Sequence, residues 1–196
     1  MCLPSVITHV AILLGAPTIS NTLKKSSRFM RGSQFGGILF RMNEKITRKV
    51  GEAHAFAQVL ETTYAANESV MKELLGDLSK TISKTAAQQK TALQAICDEA
   101  GTVSLLLPKS EKTAVKITSM GELYVGDQWS DSAEVLEWMS FFVGGAIVHW
   151  QLVSGAGAAM GHTSLTRVAD AGVVYYEGLM NQLKEYSVAV GTDRAQ

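Results

Sequence analysis

Residues 44–75 read EKITRKVGEAHAFAQVLETTYAANESVMKELL, and this stretch decides the fold class. Ile46, Val50, Ala53, Ala57, Leu60, Tyr64, Asn67, Met71 and Leu74 recur at alternating steps of four and three. That is the signature of one helix face, because a chain turning every 3.6 residues brings i, i+3, i+4 and i+7 to the same side. Phe56, Val59 and Val70 widen the stripe, which suits a helix packed in a bundle better than a narrow two-stranded seam. Asn43 stands where an N-cap belongs, and the charge of Glu44 suits the positive helix start. Asn67 is the single polar member of the stripe, and a buried amide there would fix register or oligomeric state.

Moving outward, Gly76 and Asp77 pair a C-cap with an N-cap, so a second helix is expected over 78–100 with Leu78, Ile82, Ala86, Leu93 and Ile96 inward. Residues 103–125 change character. Val103–Leu107, Ala114–Thr118 and Leu123–Val125 are short apolar runs punctuated by Pro108, Ser110, Gly121 and Gly126, which reads as short strands with a hairpin-like connection. Asp131 and Glu134 have the spacing of a capping box, and Val135, Met139, Phe142, Val143, Ala146 and Trp150 predict a third helix over 132–154. Thr163 stands as cap of a fourth over 163–188, with Leu165, Val168, Gly172, Tyr176, Leu179, Leu183 and Tyr186 on one stripe. The expected fold is therefore mainly α: a four-helix bundle-like domain over 42–196, with a small β-hairpin or short sheet between helices 2 and 3.

The 196 residues carry 18 basic and 18 acidic side chains, so the overall basic excess of a phosphate-binding surface is missing and nucleic acid is not an expected partner. Lys24, Lys25, Arg28, Arg31 and Arg41 precede the first acid, Glu44, so the charge is unevenly spread. Residues 1–41 form a basic, acid-free, hydroxyl-rich leader that reads as a targeting segment or a flexible terminus. A secretory signal fits less well, since no positive charge precedes the apolar run from Val6 to Ala16. Cys2 and Cys97 make neither a disulfide framework nor a paired metal motif, as in a reducing compartment. The expected location is intracellular: the cytoplasm, or a mitochondrion or other organelle if the leader is a transit peptide.

Several patterns bear on chemistry. From Trp138 to Thr166 no Asp, Glu, Lys or Arg occurs, which raises a membrane span over 138–160 beside the reading as a buried helix. Gly155, Gly157 and Gly161, with Val173–Tyr176 and Glu177 beyond them, imitate a dinucleotide-binding unit in which glycines admit pyrophosphate to a helix start. Met160 occupies its third fingerprint position, however, and only 19 residues follow Glu177, so a helix-to-helix glycine loop is the preferred reading. His9, His54, His149 and His162 match neither HExxH nor the Glu-x-x-His spacing of di-iron bundles, so no metal and no cofactor is expected. There is no GxSxG elbow and no Walker loop.

Ala133–Phe141, with Leu179–Lys184 and Val190–Gly191, resembles the helical half of glutathione S-transferase-like domains in translation factors over about 60 residues. That resemblance implies a preceding thioredoxin-like half and a further helical segment. Residues 42–100 instead read as long helices, and no glutathione-binding residue carries over. The function expected is a non-enzymatic helical structural or interaction protein, an oligomer or a subunit of a larger assembly. The alternatives are a small-molecule or cofactor-binding protein built on the glycine cluster 155–161 with Trp138, Trp150, Tyr175 and Tyr176, and a membrane-associated subunit.

Overall fold

The computed structural model describes residues 42–195, and the leader expectation for residues 1–41 lies outside them. The described residues form six α-helices: α1 Glu44–Ala66, α2 Glu68–Leu75, α3 Ile82–Glu99, α4 Val103–Val125, α5 Ser132–Ala159 and α6 Thr163–Arg194, with a 3₁₀ segment at Gly76–Thr81. No strand occurs among them. The Asn43 side chain accepts from Ile46 N at 3.0 Å, so the first helix starts where its cap places it. Helix α1 packs against α3, α4 and α5, and with three neighbours it buries Val50, Ala53, Ala55, Ala57 and Leu60 completely. Helix α6 runs along α5, closing the other side of the core around Trp150, Leu165, Tyr176 and Leu179.

The expected β-hairpin or short sheet between helices 2 and 3 is absent: residues 103–125 form one helix, α4, which passes through Pro108. The reason lies in which side chains face inward. Leu106, Ser110, Ala114, Ile117, Gly121 and Val125 are buried at helical steps, but three of them are small or polar, so the stripe is invisible to an apolar pattern. Small residues are required because α4 lies close on its neighbours. A Cβ at Gly51 of α1 would stand 3.0 Å from the Leu106 carbonyl oxygen, and one at Gly121 would stand 2.9 Å from the Trp138 ring. The thioredoxin-like half implied by the resemblance has no counterpart among the described residues.

The first helix is also shorter than its stripe. It ends at Ala66, and Asn67 sits between α1 and α2 with φ −131° and ψ 40°, half-buried, its side-chain amide donating to the Thr63 carbonyl at 3.1 Å. Asn67 therefore satisfies a helix end within its own chain. Helices α5 and α6 run further than expected, to Ala159 and Arg194, and His162 in place of Thr163 caps α6, its Nδ1 accepting from Leu165 N at 3.3 Å.

Candidate functional site

Two polar clusters lie where α1 faces α4. In the first, the His54 Nδ1 and Ser110 Oγ stand 2.7 Å apart, with Gln58 Oε1 3.5 Å from the same hydroxyl. Burial, with a smaller contribution from the Lys90 charge, lowers the His54 pKa to about 4. A serine nucleophile needs a base of useful strength and an open approach for its substrate. Here the imidazole is a weak base and Ser110 is buried, 2% exposed, so the pair acts as a polar lock within the α1–α4 seam.

The second cluster centres on Glu52. Its carboxylate receives Lys49 at 2.8 Å and Lys109 at 2.7 Å, and His149 Nδ1 of α5 stands 3.1 Å away but off the line of an aligned hydrogen bond. Burial alone would push Glu52 up, but the hydrogen bonds and charges of the two lysines outweigh it and hold the carboxyl below its ordinary range. His149 is held below its ordinary value, chiefly by burial, against the pull of Glu52. The arrangement ties α1 to α4 by charge, with the His149 ring of α5 packed beside it. With two cations already on one carboxylate it has no free acid for proton transfer, and no group of His, Cys, Asp and Glu among the described residues is arranged to hold a metal ion.

The glycine cluster does not form a phosphate cradle. Gly155 and Gly157 lie inside α5, and a Cβ at Gly157 would stand 2.7 Å from Thr166 Oγ1, so this glycine admits α6 and not a ligand. Only Gly161, at φ 67°, serves a turn, between α5 and α6. The strands that a dinucleotide unit needs at 146–153 and 173–177 are helix instead. The four aromatic residues do not gather in one pocket. Trp150 and Tyr176 are completely buried with ring centroids 6.3 Å apart, whereas Trp138 lies against Gly121 near the α4–α5 seam. Cys97 is also completely buried, and burial pushes its thiol up to about 11, which leaves it unreactive.

What remains unpartnered is a surface. Along α5 two stripes recur at steps of four and three, two residues out of phase and so on opposite sides of the helix. Met139, Val143, Ala146, Trp150, Val153 and Gly157 face the core and are buried. Phe141, Val148, Leu152, Gly155 and Ala159 face outward, with Phe141 64%, Val148 54% and Leu152 48% exposed, and Gly145 on the same stripe is half-buried beside Phe56. Tyr124 of α4 lies edge-on to Phe141, with ring centroids 5.5 Å apart, and extends the apolar face sideways. Beneath Phe141 a groove of about 300 Å³ opens between α4 and α5, lined by Phe56, Ile117, Met120, Trp138, Phe142 and His149. Helix α5 is also the one helix among the described residues long and apolar enough to cross a membrane. No protein family, curated protein or solved structure matches this chain.

The uncharged run from Trp138 is legible in the sequence, but its division into a packed face and an open face is not. Both stripes have the same period, and only the positions of α1, α4 and α6 around α5 decide which is covered. The His54–Ser110 pair, 56 residues apart in the chain, gave no sequence signal at all.

Proposed function

We propose that this protein is a non-enzymatic helical interaction protein that works by self-association through the outward face of α5. The observation that carries this reading is the exposure of Phe141, Val148 and Leu152 on one continuous uncharged face of an otherwise well-packed helix. Soluble monomers rarely leave a contiguous apolar patch of this kind to water. Two further points support it: the serine–histidine pair is closed to substrate, and the glycines at 155–161 are committed to helix packing or open to solvent.

The test is sedimentation and light scattering of the full chain beside a Val148→Glu/Leu152→Glu variant. The expected result is an oligomer for the parent and a monomer for the variant, with the two unfolding at nearly the same denaturant concentration once the parent is diluted to a monomer, because the two positions are exposed in the single chain. A parent chain that is monomeric at every concentration rejects the reading. So does a chain that stays in solution only in detergent, which would assign the same face to lipid.

A further inference from the structure

We propose that two copies pair antiparallel through α5, about a two-fold axis level with residue 150, so that Phe141 of each packs on Ala159 of the other. This inference rests on the self-association reading and specifies its geometry.

A two-fold interface is self-complementary: if residue i meets residue j, then j meets i. The outward stripe meets that condition. Phe141 and Ala159, Gly145 and Gly155, and Val148 and Leu152 are three pairs, each placed symmetrically about residue 150. In the antiparallel arrangement the largest side chain falls opposite a small one at each end. The two glycines fall opposite each other, and two branched aliphatics meet in the middle. Large against small is what lets facing layers interdigitate. A parallel arrangement would stack Phe141 on Phe141 and leave Ala159 facing Ala159 across a gap.

Gly155 gives independent support. A Cβ there would meet nothing within 4 Å, so no contact inside the monomer calls for its smallness, although glycine weakens a helix interior. Opposite a second glycine, it would let two backbones approach closely. Gly145 is partly explained already, since a Cβ there would stand 3.3 Å from Phe56.

Charge points the same way. The stripe continues toward the start of α5 into Glu134 and Glu137, the latter exposed and accepting from the Tyr124 hydroxyl at 2.8 Å. Beside the far end of α5, Arg167 of α6 lines a shallow hollow with Ala158 and Gly161. It is exposed and makes no ion pair among the described residues; Asp170, in the same hollow, accepts from Ser154. Antiparallel pairing brings Glu137 of each copy to the end of the other that carries Arg167, and it also sets the positive start of each helix beside the negative end of its partner; each end is mixed in charge, with Arg194 beside Glu137 and Asp170 beside Arg167. Parallel pairing would set like helix ends side by side. Specific interfaces bury roughly 800 Å² per partner, and Tyr124 and Met120 along the Phe141 side widen the face beyond a single helix.

Disulfide trapping tests the geometry. Phe141→Cys and Ala159→Cys are made separately in a Cys2→Ser background; both positions are exposed and neither supports the core. The expected result is that mild oxidation of the mixed proteins gives a covalent dimer in at least tenfold higher yield than either variant alone. Self-linking of each single variant to the same extent as the mixture would establish parallel pairing and overturn the inference. A sedimenting dimer in which the mixture gives no enhanced link would also overturn it while leaving self-association intact. A chain that never dimerises removes both.

Discussion

On its inner side α5 meets α6 in contacts that fit only one way. Trp150 lies over Gly172, where a Cβ would come within 2.3 Å of the indole, and Gly157 lies against the Thr166 backbone. On its outer side the same helix offers side chains at the same spacing, but Phe141 meets only the edge of Tyr124, Val148 and Leu152 stay exposed, and at Gly155 a Cβ would meet open space. The inner contacts are keyed: each large ring has one notch, so α6 has one register. The outer face repeats large and small residues in a pattern that a second copy can read. A single helix thus separates the contacts that specify the fold from those available for assembly, and a substitution should have opposite consequences on its two sides.

The largest effect is expected at the keyed contact. Gly172→Ala adds a methyl that the buried Trp150 ring must move to accommodate, since the ring has no flexible end to yield. Overpacking of a tight core costs about 3 kcal/mol at the upper end of its usual range, more than the ~1 kcal/mol gained by replacing glycine with alanine in a helix. Chemical denaturation should show a net loss of about 2 kcal/mol. A loss under ~0.5 kcal/mol would mean that the α5–α6 seam is not keyed by shape, and the contrast between the two faces would disappear.

A polar version of the keyed interior lies between α1 and α4. His54 is held neutral in the fold, its pKa lowered to about 4 mainly by burial, against an ordinary 6.5 in the unfolded chain. Below pH 6.5 the unfolded chain takes up a proton that the folded chain refuses until about pH 4. The stability contributed is therefore complete above 6.5 and is lost progressively as pH falls toward 4. Allowing for the incomplete burial of the ring, the loss over that window is about 2 kcal/mol at most. His54→Gln keeps a hydrogen-bonding group near Ser110 and removes the titration. Denaturation at pH 7 and pH 4.5 should give a visibly smaller decline for the variant, the remainder coming from groups such as His149, whose pKa is also lowered. Equal declines in the two proteins would show that His54 takes up its proton inside the fold as readily as in the unfolded chain, so that burial does not lower its pKa.

These examples also explain what the sequence could and could not reveal. Helices α1, α5 and α6 were legible because their inward positions carry Leu, Val, Phe, Trp and Tyr at helical steps. Helix α4 reads as strands in the sequence because its inward residues include Ser110, Ala114 and Gly121, whose role is to let helices approach, while Val115 and Thr118 outside them look strand-like. A packing constraint met by small residues leaves no hydrophobic signal; it becomes visible only with the neighbour that imposes it, here Trp138 against Gly121. Asn67 shows the converse. It lies in register with an apolar stripe, yet a backbone carbonyl four residues earlier takes its amide and the helix ends there. The glycines at 155–161 fit two readings in the sequence because close helix packing and phosphate binding both call for a missing side chain.

The smallest effect on stability, and the sharpest test of the two-face contrast, is expected at Gly155. Within the monomer Gly155→Leu meets no neighbour and replaces a poor helix former with a good one, so the isolated chain should gain roughly 0.5–1 kcal/mol. In the antiparallel pair the same leucine would stand between two backbones where glycine faces glycine, and the close approach would be lost. Monomer stability and assembly should therefore move in opposite directions: at a protein concentration low enough for the parent to be dissociated the denaturation midpoint rises, while at a concentration where the parent pairs the sedimentation coefficient falls to that of a monomer. Neither a general loss of structure nor a general gain in stability produces that combination. A Gly155→Leu chain that still dimerises with the affinity of the parent would show that the outward stripe is not the contact surface. A chain that loses both assembly and stability would show that Gly155 already has a partner within its own fold, and that the outer face of α5 is as keyed as the inner one.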